Sequence, residues 1–246
     1  MSPIRSSAAA GSSHALGDNR FAKTVSEVSA TRTEGRKTAL SGVIATTATM
    51  AATPTIGNYL VVMLSSNNAG VVPTCSYSGV SGTLVNSNLT TGICAGVYYI
   101  PVSSVSSGTT LNIAAASGPT IIGYSVTEVS GVYAASPVDV SGTAVGSCSS
   151  SSSLTVLGAG GGHTYIGSRC FAFVSLAGAQ TDAGAFNSTD MTSGTTWGNY
   201  AAADDILGRT FGPATSYSAA GGIIALFGTA TARNGVGIYV SFRPAA

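Results

Sequence analysis

The sequence predicts an all-β protein, an antiparallel and jelly-roll-like β-sandwich with an extended N-terminal arm. Three observations predict it. Short apolar stretches, several alternating at period two, are separated by Gly, Ser, Thr, Asn and Pro, the signal of a sandwich or barrel. Charged residues make up 8% of the 246 and hydrophobic ones 44%, against a usual charged share of about 25%, so Ser, Thr, Asn, Gly and backbone must cover the surface. The charge is also unevenly placed: residues 1–37 hold Arg5, Arg20, Lys23, Arg32, Arg36 and Lys37 against Asp18, Glu27 and Glu34, and no lysine follows Lys37.

Residues 1–37 therefore read as an arm that is basic, rich in Ser, Ala and Gly, and without sustained periodicity. Fully extended, such an arm reaches roughly 120 Å at about 3.3 Å per residue, enough to cross a neighbouring subunit. A short helix around residues 20–29, capped by Asp18 or Asn19, is compatible with the pattern. Residues 38–246 form a single sandwich domain, since all-β domains commonly run to this length undivided.

Along that domain, residues 40–50 open with a strand whose threonines face solvent, and residues 58–65, NYLVVMLS, form a central strand after Pro54 and Gly57. Short edge-type strands follow at 73–77 and 83–85, then a longer one at 93–102. Residues 108–113 alternate cleanly, with Leu111 and Ile113 inward. The longest bounded apolar run, 121–129, is a central strand; Ser130-Gly131 breaks it, and Pro137 starts a short segment closed by Ser141-Gly142. Residues 146–153 read as a serine-rich loop, 164–176 as a long strand, and 178–218 as the least strand-like part. A closing pair, 223–227 with 236–242, is joined by a connection containing Asn234-Gly235, a good turn signal.

Glu128 is the only acid between Glu34 and Asp139, and the pleat puts it on the face of Ile122, Tyr124 and Val126. A buried acid or base is one reading of it. A structural carboxylate is the other, accepting N–H bonds from the Ser130-Gly131 turn or the following loop, and no His, Lys or second acid within sequence reach completes a catalytic site.

The pattern Glu128-Val129-Ser130-Gly131-Val132, a spacer, then Pro137-Val138-Asp139 resembles a motif of Gly/Ser/Thr-rich β-sandwich domains in tailed-bacteriophage virion proteins and some bacterial surface proteins. The resemblance extends loosely over residues 40–242 and is sharp only across 128–139. It implies that Glu128 and Asp139 are structural, fixing loops rather than catalysing.

Composition excludes further classes. A formal net charge of +1 gives no basic field for general nucleic-acid binding. Residues 1–21 lack the apolar core of a secretory signal, and no run of 18 apolar residues predicts a membrane helix. Cys75, Cys94, Cys148 and Cys170 are too widely spaced for zinc and read mainly as small buried hydrophobes, with two disulfides as the alternative. The glycine run at 158–162 is followed by His163 and no Lys-Ser or Lys-Thr, so it is no phosphate loop. His14 and His163 are isolated, and the adjacent Asp204-Asp205 lack the alternate spacing of an EF-hand.

What remains is interaction. Trp197 and Tyr200, three apart in a Gly/Thr segment, are candidate contact residues for a protein or a sugar. The expectation is a non-enzymatic virion protein without cofactor or metal, a capsid decoration or minor tail protein made in the host cytoplasm. Its partners would be other virion proteins and further copies of itself, with no nucleic acid and no membrane. Arg5, Arg20, Lys23, Arg32, Arg36 and Lys37 of the arm, with Trp197 and Tyr200, would make the contacts. A carbohydrate-binding or adhesive module that takes a host surface glycan is the alternative.

Overall fold

The computed structural model describes residues 24–38, 44–67, 70, 72–103, 108–115, 121–151, 153–157, 161–162, 165, 167–176, 185–187, 193–198, 206–211, 219–220, 223–226 and 233–245. Every element among them is a strand. In chain order these are β1 (Ser26–Thr38), β2 (Ile44–Thr49), β3 (Tyr59–Ser66), β4 (Thr74–Tyr77), β5 (Val80–Ser81), β6 (Thr83–Thr90), β7 (Ile93–Pro101), β8 (Thr110–Ala115), β9 (Ile121–Ser130) and β10 (Val138–Ser151). There follow β11 (Ser153–Leu157), β12 (Gly161–Gly162), β13 (Arg169–Leu176), β14 (Ala185–Asn187), β15 (Ser193–Gly198), β16 (Ile206–Phe211), β17 (Ala219–Ala220), β18 (Ile223–Leu226) and β19 (Arg233–Phe242).

The protein is all-β, and its antiparallel sheets pack against one another. A central sheet runs β1-β9-β3-β7-β6, a second β10-β19-β13-β16-β15, and a third β2-β8-β4-β5. Two small sheets, β11-β18-β14 and β12-β17, complete the described set.

Three of these layers form a stack, because the central sheet is apolar on both faces. One face presents Val61 and Met63 of β3, with Ile93 and Val97 of β7, to Phe171, Phe173, Ile238 and Phe242 of the second sheet. The other presents Leu60, Val62 and Leu64, with Ile122 and Val126 of β9, to Tyr77, Leu111 and Ile113 of the third. All eight residues of β3 are buried. That is why its sequence is a continuous apolar run instead of an alternating one, the pattern of a strand covered on both sides. Each such side chain contributes roughly 1.5–3 kcal/mol by leaving water. The third sheet has only one covered face, so β8 alternates strictly between exposed and buried residues, with Leu111 and Ile113 inward.

Several elements differ from the sequence expectation. Residues 146–151 are not a polar loop but the continuation of β10, which pairs with β19 from Val138 to Ser151. Ser147 and Ser149 face solvent there, while the backbone finds its partners in β19. Strands β18 and β19 do not pair with each other: β18 lies between β11 and β14, and β19 between β10 and β13. Asn234-Gly235 is consequently strand, with Gly235 opposite both Cys148 and Leu176, so pairing on two sides overrides the local turn preference. The described residues within 178–218 are strand, in β14, β15 and β16.

Of residues 1–37, those before Thr24 lie outside the described residues, and from Ser26 the chain is strand rather than helix, paired with β9 at one edge of the central sheet. Its start is clamped. The Val25 amide donates to Gly167 O at 2.9 Å, and Arg169 Nε donates to Val25 O at 3.0 Å. Just past β19, Arg243 lies between the rings of Tyr133 and Tyr165, 4.5 and 4.1 Å from their centroids.

Candidate functional site

The residues expected to act are distributed over several places. Arg5, Arg20, Lys23 and Tyr200 lie outside the described residues. Arg32, Arg36 and Lys37 are on β1, where Arg36 is opposite Gly123 and Lys37 opposite Ile122. Arg32 falls in the irregular stretch between Val28 and Thr33, where the register shifts. Trp197 is on β15, the outer strand of the second sheet, opposite Gly208. Arg32, Arg36 and Lys37 on the one hand and Trp197 on the other thus belong to two different sheets.

Glu128 sits near the end of β9 with no exposed surface. It accepts hydrogen bonds from the Thr55 amide at 2.9 Å and from the Asn58 side-chain amide. These donors belong to the segment leading into β3, not to the Ser130-Gly131 turn or the loop after it that the sequence suggested. The pairing of Leu60 with Glu128 brings that segment alongside.

Asp139 is 4% exposed and opposite Ser241, which is in turn opposite Cys170. Aspartate, serine and cysteine thereby form a row across β10, β19 and β13, close to Tyr239 and Arg169. No sequence motif announces this row, because its members are contributed by three strands far apart in the chain. Its chemistry is closed. The Cys170 thiol donates to the Ser241 hydroxyl at 3.6 Å, and burial pushes its pKa up to about 11. Burial raises Tyr239 as well, and it lowers Arg169. A thiol that is protonated and shut from solvent is the reverse of an activated nucleophile, so the row fastens three strand ends together. Cys75 and Cys94 are likewise buried, the Cys94 thiol lies 3.1 Å from the Ser66 hydroxyl, and burial pushes Cys75 up to about 12. Among the described residues no three of His, Cys, Asp and Glu gather at metal-binding range.

A shallow cavity of about 310 Å³ lies against the third sheet, lined by Thr74, Ser76, Ser81 and Asn112 among others. Ser76 faces Asn112 on one side and Ser81 on the other, so three short polar side chains form a row across β8, β4 and β5. The lining has no charge, which suits a neutral hydroxyl-bearing ligand better than an ion.

Comparisons with protein-family models, with curated proteins and with solved structures found no match to this chain.

Proposed function

We propose that this is a non-enzymatic virion structural protein of a tailed bacteriophage, a jelly-roll-like sandwich held on the particle by its N-terminal arm. It serves as a capsid decoration protein or a minor tail protein and associates with other virion proteins and with further copies of itself. Arg5, Arg20 and Lys23 of the arm make the anchoring contacts, joined by Arg32, Arg36 and Lys37 along β1, while Trp197 and Tyr200 serve a second contact.

The observation that carries this reading is the clamp at Val25. Gly167 and Arg169 fix the point at which residues 1–23 join the body, next to the exposed Thr24. A segment fixed at its root can transmit an anchoring force to a rigid stack. Glu128, bonded to the Thr55 amide, and Asp139, opposite Ser241, would hold structural places in that stack, as the resemblance in residues 128–139 implies.

The test is retention on purified capsids and, separately, on tails, of the full chain and of a chain lacking residues 1–23. Removing residues 1–37 would strip β1 from the central sheet and confuse anchoring with folding. Retention of the full chain on one particle, lost on truncation at 23, supports the reading. Retention on neither overturns it.

The cavity on the third sheet favours a second reading, a module that binds a neutral glycan. Under it the body binds sugar with or without residues 1–23, and Asn112→Ala weakens that binding while leaving the fold intact.

A further inference from the structure

Strand β6 closes the central sheet at the edge opposite β1, and it exposes two large apolar side chains, Leu84 at 47% and Leu89 at 60%. An apolar edge strand is a template for pairing with another chain, and natural proteins usually blunt such edges with charge or proline. Thr83–Thr90 has neither.

The hairpin that joins β6 to β7 fixes which amides are at risk. It turns at Thr91-Gly92, with Gly92 at φ +82°, and its closing pair is Thr90 with Ile93. In a two-residue hairpin the closing pair exchanges both of its hydrogen bonds, and every second pair does the same. Asn88 with Ala95 and Asn86 with Val97 therefore bond across the ladder, while Ser87 and Leu89 aim their amides outward.

Both outward amides are already taken. Ser87 N–H donates to Asn86 Oδ1 and Leu89 N–H donates to Asn88 Oδ1, each at 2.9 Å. Asn88 also donates through its side-chain amide to Gly146 O of β10, which holds it in place. Two asparagines at alternate positions thus perform the same act on the residue that follows each of them.

We propose that Asn86 and Asn88 are edge guards that prevent β6 of one copy from adding to β6 of another. Antiparallel addition there would need the outward donors of Ser87 and Leu89 and would cover Leu84 and Leu89. The side-chain carbonyls remove the donors without introducing charge, which this chain uses sparingly. Any self-association of the protein then uses surfaces other than β6. The inference stands independently of the virion reading.

The test is sedimentation velocity over a concentration series for the unsubstituted protein, Asn86→Thr, and the double variant Asn86→Thr/Asn88→Thr. The double variant is expected to self-associate at least about tenfold more tightly than the unsubstituted protein. Adding Leu89→Lys to the double variant should return the mass distribution to that of the unsubstituted protein. A folded double variant with an unchanged distribution overturns the proposal. If loss of the Asn88–Gly146 bond unfolds the double variant, Asn86→Thr decides, since it keeps that bond: a smaller shift in the same direction supports the guard, and no shift overturns it.

Discussion

Glu128 on β9 and Thr55, 73 residues earlier in the chain, are joined by a 2.9 Å hydrogen bond in which the Thr55 amide donates to Glu128 Oε1. The bond ties the entry of β3 to the end of β9 and gives a buried carboxylate a structural task. Glu128→Gln keeps an acceptor at that place and is expected to stay within about 1 kcal/mol of the unsubstituted protein. Glu128→Ala leaves two donors without an acceptor and should cost about 1–3 kcal/mol. Urea unfolding of both variants checks this; equal losses would mean that the charge, not the acceptor, matters.

The double-sided central sheet makes a prediction of its own. Phe173→Ala opens the interface with the second sheet and should cost about 3–5 kcal/mol, and Leu60→Ala opens the interface with the third and should cost about 2–5 kcal/mol. Because one sheet supplies a wall to both interfaces, either variant should lower the melting of the whole stack in a single transition. Calorimetry decides; two separated transitions would show that the layers melt independently.

Gly146 lets β10 approach β11 more closely than a side chain allows. A Cβ added there would lie 1.9 Å from Thr155 O, a backbone atom that cannot swing aside. Gly146→Ala should therefore destabilise by about 1–3 kcal/mol through overpacking, whereas Ser147→Ala, on the exposed side of the same strand, should be nearly silent. The difference between their unfolding midpoints is the measurement.

Stability should decline in alkali. Burial raises the Cys75 thiol from 9.0 to about 12, the Cys170 thiol from 9.0 to about 11, and the Tyr98 phenol from 10.0 to about 12. Each folded-state pKa lies above its unfolded value, so the folded protein holds protons that the unfolded chain releases. Their contribution is complete below pH 9 and is lost as pH rises through 11 to 12. Unfolding midpoints should be flat near neutrality and fall above pH 9, less steeply for Cys170→Ala. A midpoint that rises with pH in that range would contradict the burial of these groups.

Local periodicity made much of the fold legible. The alternation of β8, the position of β3 within the sheet and the face on which Glu128 lies all follow from counting by twos. The third layer was also written in residues 59–64, since six consecutive apolar residues require cover on both faces, but a two-layer reading leaves that signal unused. Pairing was not legible. Nothing local in Cys148 or Leu176 marks them as neighbours of Gly235, and without those neighbours Asn234-Gly235 reads as a turn and the serines of β10 as a loop. The row of Asp139, Ser241 and Cys170 and the bond from Thr55 to Glu128 were hidden for the same reason. Asn86 and Asn88 were visible as residues, but their task depends on which amides the hairpin turns outward.

The position of β19 between β10 and β13 bears on how the chain matures at the ribosome. The strand synthesised after both of its neighbours is the one that must enter between them. Until residues 233–242 emerge, Val61, Met63, Ile93 and Val97 lack the cover of Val236, Ile238, Val240 and Phe242, and β10 and β13 have no shared partner. Until then the nascent protein carries an apolar surface that the insertion of β19 helps to conceal, and folding helpers would be expected to act in that interval.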